Sequence, residues 1–424
     1  MAADAPSWAD YRALAHRVCA LAEGREAAGE EPCAELMRAM QHYVDNFGRV
    51  RLPSKARRLN PPGALDRLSD DLALQLFSRA PFMTHGTLHV VCRRLKTLLR
   101  SRAFLTQRVD SGLAEHSLIV AGGVHTANST ASAECFAFCG RWWRPIAPLS
   151  TPRFGPCSAM MENEDGLPEM WVLGGFDGLP LATVEAYNPR MNTWRSCLPL
   201  SQRRIDAVAG VIGGQLVVAG GDHHDGGDDG ATPSSSVEAY TSTGWISLPP
   251  LPHAAWQAAA CALNGQLYVM GGYESNKVQV LESSEQNGFT WTVKNDLPAM
   301  RRGAGSAVMD GKVWLLGGLL ENDEGDEAET ASVLIYDAPS DSWATGPALP
   351  RAINRCSAAN VGGEIFVTGQ YSIPTPDVNT PAEIDWEEHQ CTYVYRDATW
   401  AELAVTGGPL LEYTAPAVEL ALLG

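Results

Sequence analysis

The chain has no C-x-x-C pair and no cysteine spacing of a disulfide framework; ten cysteines lie scattered through 424 residues, Cys135 and Cys139 being the closest pair. Single thiols spread this way point to a reducing compartment, cytoplasm or nucleus. There is also no uninterrupted apolar stretch of the roughly 18 to 20 residues that a membrane span requires. The first residues, "MAADAPSWADYRALAHRVCALAEG", carry acids and lack the apolar centre of a secretory leader. Missing too are a nucleophile elbow, a phosphate loop and an H-E-x-x-H pair, so no motif argues for catalysis. Positive charge is scarce outside one segment. Residues 49–108 hold 13 basic and 3 acidic side chains, whereas the remainder holds 19 and 46. A remainder near −27 does not suit phosphate backbones, which excludes nucleic acid as its general partner.

Glycine is plentiful, and its placement is periodic. "LIVAGGV", "WVLGGFD", "LVVAGGD", "LYVMGGY", "VWLLGGL" and the degraded "IFVTGQY" place a marker glycine at 122, 174, 220, 271, 317 and 369, at spacings of 52, 46, 51, 46 and 52. A period near fifty denotes a repeat architecture. An aromatic follows in five units (Phe136, Tyr187, Tyr240, Tyr336 and Tyr395), the fourth, "VLESSEQ", lacking it. A tryptophan then follows in all six: Trp143, Trp194, Trp245, Trp291, Trp343 and Trp400. Short β-rich runs between Gly, Pro, Asn and Asp predict four antiparallel strands per unit. The strand before each apolar run is built of small residues ("AVAG", "AAAC", "GAGSA", "CSAA"), as crowding around a central axis demands. Paired glycines ending the second strand imply a left-handed backbone or a close approach that excludes a Cβ.

This order of Gly-Gly, aromatic and Trp resembles the kelch family, and the resemblance covers residues 115–424. It implies an all-β, six-bladed kelch β-propeller. The last unit departs from the pattern at Gln370 and carries an insertion, "SIPTPDVNTPAEIDWEEHQ". The first unit lacks a small-residue strand, and the C-terminal run 411–423 has the missing character. Closure of blade one by that strand is expected, removing open edges.

Residues 1–48 predict two helices of unassigned role, and 49–61 a basic linker. Within 62–108, Leu88, Val91, Cys92, Leu95, Leu98 and Leu99 share one helical face. A shorter helix starts after Ser69, whose hydroxyl suits an N-cap ahead of Asp70 and Asp71. Together with Leu68, Asp71, Leu72, Leu76 and Pro81, these positions resemble the F-box, an α-helical module. Ser69 stands where that family usually has Pro, and Leu95 where it has Trp. The layout is similar to that of F-box/kelch proteins. The resemblance implies binding to a Skp1-like adaptor and a cullin, with the propeller capturing a protein for ubiquitination, no cofactor and no membrane contact. The alternatives are a kelch interaction scaffold without ligase association and a kelch-type copper oxidase, whose Tyr and His ligand set cannot be assembled from this sequence.

"GGDHHDGGDDG" places His223 and His224 beside aspartates, but adjacent histidines seldom face one ion, so a solvated loop is expected and no metal is assigned. "ENDEGDEAE" from Glu321 is read as an acidic loop. The turns before the inner strands carry Arg153, Arg204, Trp256, Arg301 and Arg355. In kelch receptors such turns meet at one mouth, which makes these five the expected contacts for an acidic or phosphorylated protein partner. The alternative is that each arginine pairs with an acid of the neighbouring blade.

Overall fold

In a computed structural model, the described residues are 115–403, except 126–129, 139–142, 165, 224–231, 285–287, 322–325 and 377–383. Before them the description covers residues 70, 73–74, 97–99 and 101–110, and after them 411–412 and 418–422. The predicted N-terminal helices and linker, and Leu68, Ser69, Asp71, Leu72, Leu76, Pro81, Leu88, Val91, Cys92 and Leu95, lie outside the described residues. Arg102–Asp110 is an α-helix. No helix among the described residues is long and apolar enough to cross a membrane.

Six four-stranded antiparallel sheets follow in chain order. Blade two shows the pattern: Cys157–Glu162, Pro168–Leu173, Val184–Asn188 and Thr193–Ser196 pair consecutively. The inner strands of blades two to six are Cys157–Glu162, Val208–Ile212, Ala259–Leu263, Gly305–Met309 and Asn354–Val361. Each touches the next, so they stand side by side around a channel. In the first sheet the order is Val418–Leu422, Glu115–Ala121, Cys135–Phe138, Trp143–Pro145, with the C-terminal strand innermost.

Apolar clusters fill the seams. Leu173, Val184, Leu216 and Val218 join blades two and three, and Val217, Ala239, Val269 and Leu281 join three and four. Tyr268, Val280, Leu315 and Tyr336 join four and five, and Trp314, Leu316, Val367 and Tyr393 join five and six. Leu118, Val120, Phe138 and Trp143 meet Phe366 and Val394, so blade six also packs on blade one.

The aromatic pair reads out the repeat. Tyr187–Trp194, Tyr240–Trp245, Tyr336–Trp343 and Tyr395–Trp400 are cross-strand neighbours with ring centroids 4.9 to 5.4 Å apart. In blade one the ring opposite Trp143 is Phe138, not the expected Phe136, because the strand register pairs Phe138 with Trp143 and Phe136 with Pro145. The tryptophans of blades two to six also fasten each blade to the connection before it: Trp194, Trp245, Trp291, Trp343 and Trp400 donate their indole N–H to the carbonyls of Ala147, Leu198, Pro249, Asn295 and Pro347, at 2.7 to 3.2 Å. Each such bond contributes on the order of 1 kcal/mol net.

Where the glycine pair is lost, the strand fails to stop. Gly369 and Gln370 stay extended, and the second strand of blade six runs Glu364–Pro376 against Ile384–Arg396. The insertion thus becomes a long ribbon rather than a loop. Blade five carries a second outgrowth, a three-stranded sheet of Met300–Arg302, Leu319–Glu321 and Glu327–Glu329.

Deleting residues 411–424 removes the inner strand of blade one and leaves an open edge. The truncated chain is expected to aggregate and to lose cooperative unfolding in calorimetry, whereas removing residues 1–48 leaves the propeller transition in place.

Candidate functional site

The connections before the inner strands and those after the second strands lie at one end of the blades, because the glycine pairs bind there. The N–H of the second glycine donates to a carbonyl of the following connection: Gly123 to Arg153, Gly175 to Arg204, Gly221 to Ala255, Gly272 to Arg301 and Gly318 to Ile353, at 2.7 to 2.8 Å. A Cβ on the first glycine of each pair would strike that same carbonyl. Both glycines have positive φ, for example +64° and +100° at Gly174 and Gly175.

Three of the five expected mouth contacts point inward. Arg153, fully buried, donates to the carbonyls of Gly174 and Thr183 and pairs with Glu185 at 2.7 Å. Arg204 binds the carbonyls of Gly220 and Ser236 and pairs with Glu238 at 3.0 Å. Arg301 reaches the carbonyls of Gly317 and Ser332 and the Ser332 hydroxyl, with no carboxylate to meet it. The reading of these three as partner contacts is corrected: each spans from the connection to its own blade's second and third strands, satisfying carbonyls that the turn leaves unpaired. Burial pulls the Arg153 guanidinium below its usual pKa against the opposing pull of Glu185. With no carboxylate, burial lowers Arg301 to about 10.

The brace is a matched set. Two residues before the cross-strand aromatic position stand Glu185, Glu238, Gln279, Leu334 and Tyr393, opposite Arg153, Arg204, Ala255, Arg301 and Ile353. Where the arginine is Ala255, the carboxylate is also gone, and Gln279 exchanges hydrogen bonds with the His253 backbone instead. Arg204→Ala is expected to destabilise the propeller by about 3–5 kcal/mol by stranding Glu238. Arg301→Met, which strands no acid, is expected to cost far less; chemical denaturation of both variants measures the difference.

Two residues past each brace position the chain takes a left-handed turn, at Gly155, Asp206, Gln257, Gly303 and Arg355, with φ between +48° and +61°. The N–H groups of Asp206, Gln257 and Gly303 donate to the carbonyls of Gly155, Asp206 and Gln257, and Cys356 donates to Gly303. The result is a head-to-tail rim at the mouth of the channel, whose volume is about 580 Å3. Asp206 leans over Gly155, where no Cβ fits. Gln257 donates to Asp206 at 3.2 Å and accepts from Arg302 at 2.5 Å, and Arg302 pairs with Glu327 at 2.5 Å. Asp206 faces the channel and is half-buried. Desolvation raises its pKa to about 6, against the hydrogen bond from Gln257 and the charge of Arg355; the nearby Asp222 adds to the rise. A carboxyl that holds its proton more tightly folded than unfolded gives stability that is complete below about pH 4 and lost as pH rises through 6. Asp206→Asn is therefore expected to raise the melting temperature at pH 7 to 8 and to leave it unchanged near pH 4.

The exposed part of the mouth is aromatic and cationic. Trp256 is half-buried against Tyr273 at 5.2 Å, and the Arg302 guanidinium lies over Tyr273 at 5.6 Å. On the blade-six ribbon Tyr371 stacks on His389 at 5.4 Å, with exposed Arg351 over Tyr371 at 4.2 Å. Glu329 ties the two outgrowths together by accepting from Asn354 and from Ser372 Oγ. Arg355, half-buried, donates to Gln370 at 3.2 Å and lines the channel. Arg302 and Arg351 stand among the arginines of the turns before the inner strands, whereas Tyr273, Tyr371 and Asp206 carry no signal in the sequence. The positive-φ positions carry no side-chain signature, and the ribbon looked like an insertion. Among the described residues no group of three His, Cys, Asp or Glu side chains is placed to hold a metal ion, and His224 lies outside them.

The Kelch motif family matches residues 168–200, which are three strands of blade two. Mouse Kelch-like protein 35 is 32% identical over 43% of this chain and 30% of its own length. The Kelch-like protein terF of Aspergillus terreus is 27% identical over 56% of this chain and 53% of its own. An F-box/kelch-repeat protein of Arabidopsis thaliana is 29% identical over 48% and 54%. The chain thus spans a third to a half of the curated relatives it matches. In fold, the solved structure of YjhT superposes with a TM-score of 0.51 at 13% identity, over 67% of this chain and 96% of its own. Six repeated four-stranded sheets make a β-propeller, and three strands of its second blade match the Kelch motif.

Proposed function

We propose that the chain is a substrate receptor of an SCF-type ubiquitin ligase: residues 62–108 tether a Skp1-like adaptor and, through it, a cullin, while the mouth of the propeller captures the protein to be modified. The reading of the mouth rests on one observation, the cation–aromatic surface raised on two tied outgrowths over a rigid rim. Arginine and aromatic side chains on a preorganised scaffold are what interface anchors are made of. The tether is supported by the F-box-like order of Leu68, Leu72, Leu76, Pro81 and the 88–99 face, and by the similarity to an F-box/kelch-repeat protein. Such a receptor has no chemistry of its own. It raises the effective concentration of a target lysine near a ubiquitin-loaded enzyme.

The second reading, an interaction scaffold without a ligase, is favoured by Ser69 and Leu95, which stand where the F-box family keeps Pro and Trp. Co-purification from cells decides between them. The intact chain is expected to bring down Skp1, and Leu72→Arg with Leu76→Arg to abolish this while leaving propeller melting unchanged. Arg351→Glu with Tyr371→Ala is expected to keep the adaptor and lose the captured protein. A wild-type chain that never co-purifies with the adaptor establishes the scaffold reading.

A further inference from the structure

We infer that the rim of the channel is a binding site for a small zwitterion, a free α-amino acid or a compound derived from one, with its ammonium on Asp206, its carboxylate on Arg355 and its side chain in the channel. The site adjoins the cation–aromatic surface offered to a protein partner, to which Gln257 and Arg302 link it.

The channel is the cavity at the centre of the propeller, about 580 Å3, and its wall is the exposed edge of five inner strands. Small residues dominate it: Ala209, Ala260, Gly305 and Ala307 contribute little beyond backbone, and Ser306 turns its hydroxyl onto the Ala260 carbonyl. Among the residues lining the cavity only Asp206 and Arg355 carry formal charges of opposite sign, and both sit at the rim in left-handed turns. Gly155 and Gly303, also in the rim, carry no side chains to cover them. A cavity with a few convergent polar groups at one end suits a small molecule with a polar head and a slim tail.

Both charges are held in place. Gln257 has its amide orientation fixed, with Oε1 accepting from Arg302 and Nε2 donating to Asp206. Arg302 is in turn anchored on Glu327. Arg355 is steadied by Gln370 Oε1 at 3.2 Å, the residue that replaces the second glycine of blade six. Asp206 and Arg355 stand on blades three and six of one rim, and the charge of Arg355 is felt at Asp206; opposite charges facing one cavity match a head group that carries both signs. A ligand with only one sign would meet repulsion from the other rim group.

The ionisation of Asp206 supports this assignment. Burial disfavours its charged form, Asp222 adds like charge, and Gln257 and Arg355 only partly offset both. A carboxyl that weakens the fold at neutral pH, in a cavity mouth, is typical of a functional group. An ammonium placed on it restores a counter-charge where the fold provides too little.

The test is calorimetric titration of the intact chain with three matched probes: norleucine, pentylamine, which lacks its carboxylate, and hexanoate, which lacks its amine. Norleucine is expected to bind at least ten-fold more tightly than either single-charge probe, and to weaken as pH falls through about 6 while Asp206 takes up its proton. Asp206→Asn and Arg355→Asn, both tolerant of left-handed backbone, are each expected to lose at least ten-fold in norleucine affinity, with melting curves confirming the fold. The wild-type probe comparison does not depend on either variant folding. Equal binding of pentylamine or hexanoate, full affinity in Asp206→Asn, or no binding of norleucine would each overturn the assignment. Neither result bears on co-purification with the adaptor, so failure here leaves the receptor reading standing on its own test.

Discussion

Blades two to six of this propeller are each set by one contact: the carbonyl of a connection lodged against a glycine pair of the blade before it. The carbonyl occupies the space of a Cβ on the first glycine and takes the N–H of the second. Any other residue at the first position must move the neighbouring backbone, so side chains cannot relax to accommodate it. This contact fixes the distance between successive blades, which fixes where the inner strands stand and how wide a channel they leave. The tryptophan hydrogen bonds and the apolar seams act on a geometry that the glycines have already imposed. Blade six illustrates the converse. With Gln370 in the second position the backbone stays extended, and two strands of ordinary length become a ribbon of thirteen residues each.

Much of the propeller was legible because its signals are local and repeated. The glycine pairs, the Tyr–Trp order and the small inner strands each recur at a fixed offset, so errors in one unit are checked by five others. The single slip in the aromatic pattern, Phe136 for Phe138, came in the blade with the shortest outer strand, where two phenylalanines two residues apart satisfy the same pattern and only register separates them. Residues 1–114 offer no repetition, and the F-box-like positions among them stand on resemblance.

The binding residues were read less well, for a physical reason. An arginine in a connecting loop has the same letter whether it faces solvent or carbonyls. The distinguishing signal was present thirty-odd residues away: Glu185 and Glu238 accompany Arg153 and Arg204, whereas Ala255 is accompanied by Gln279 and Ile353 by Tyr393. Covariation inside one chain marks a buried pair. Arg301, facing Leu334, breaks the rule and remains a buried cation held by carbonyls and one hydroxyl. Among the residues left at the surface, Arg302 and Tyr371 gain their positions from outgrowths of blades five and six that no repeat pattern describes, and Tyr273 and Arg351 lie in the connections beside them.

The order of strands in the first sheet also governs when the protein can be finished. Glu115–Ala121 lies beside Val418–Leu422, made roughly 300 residues later. At a synthesis rate of about 5–20 residues per second, blade one waits some tens of seconds for its inner strand. Through that interval blades two to five can form in succession from local hairpins, while the edge that will receive the last strand stays exposed. A nascent chain of this design depends on whatever shields that edge in the cell, and a pause late in translation lengthens its exposure more than a pause early on.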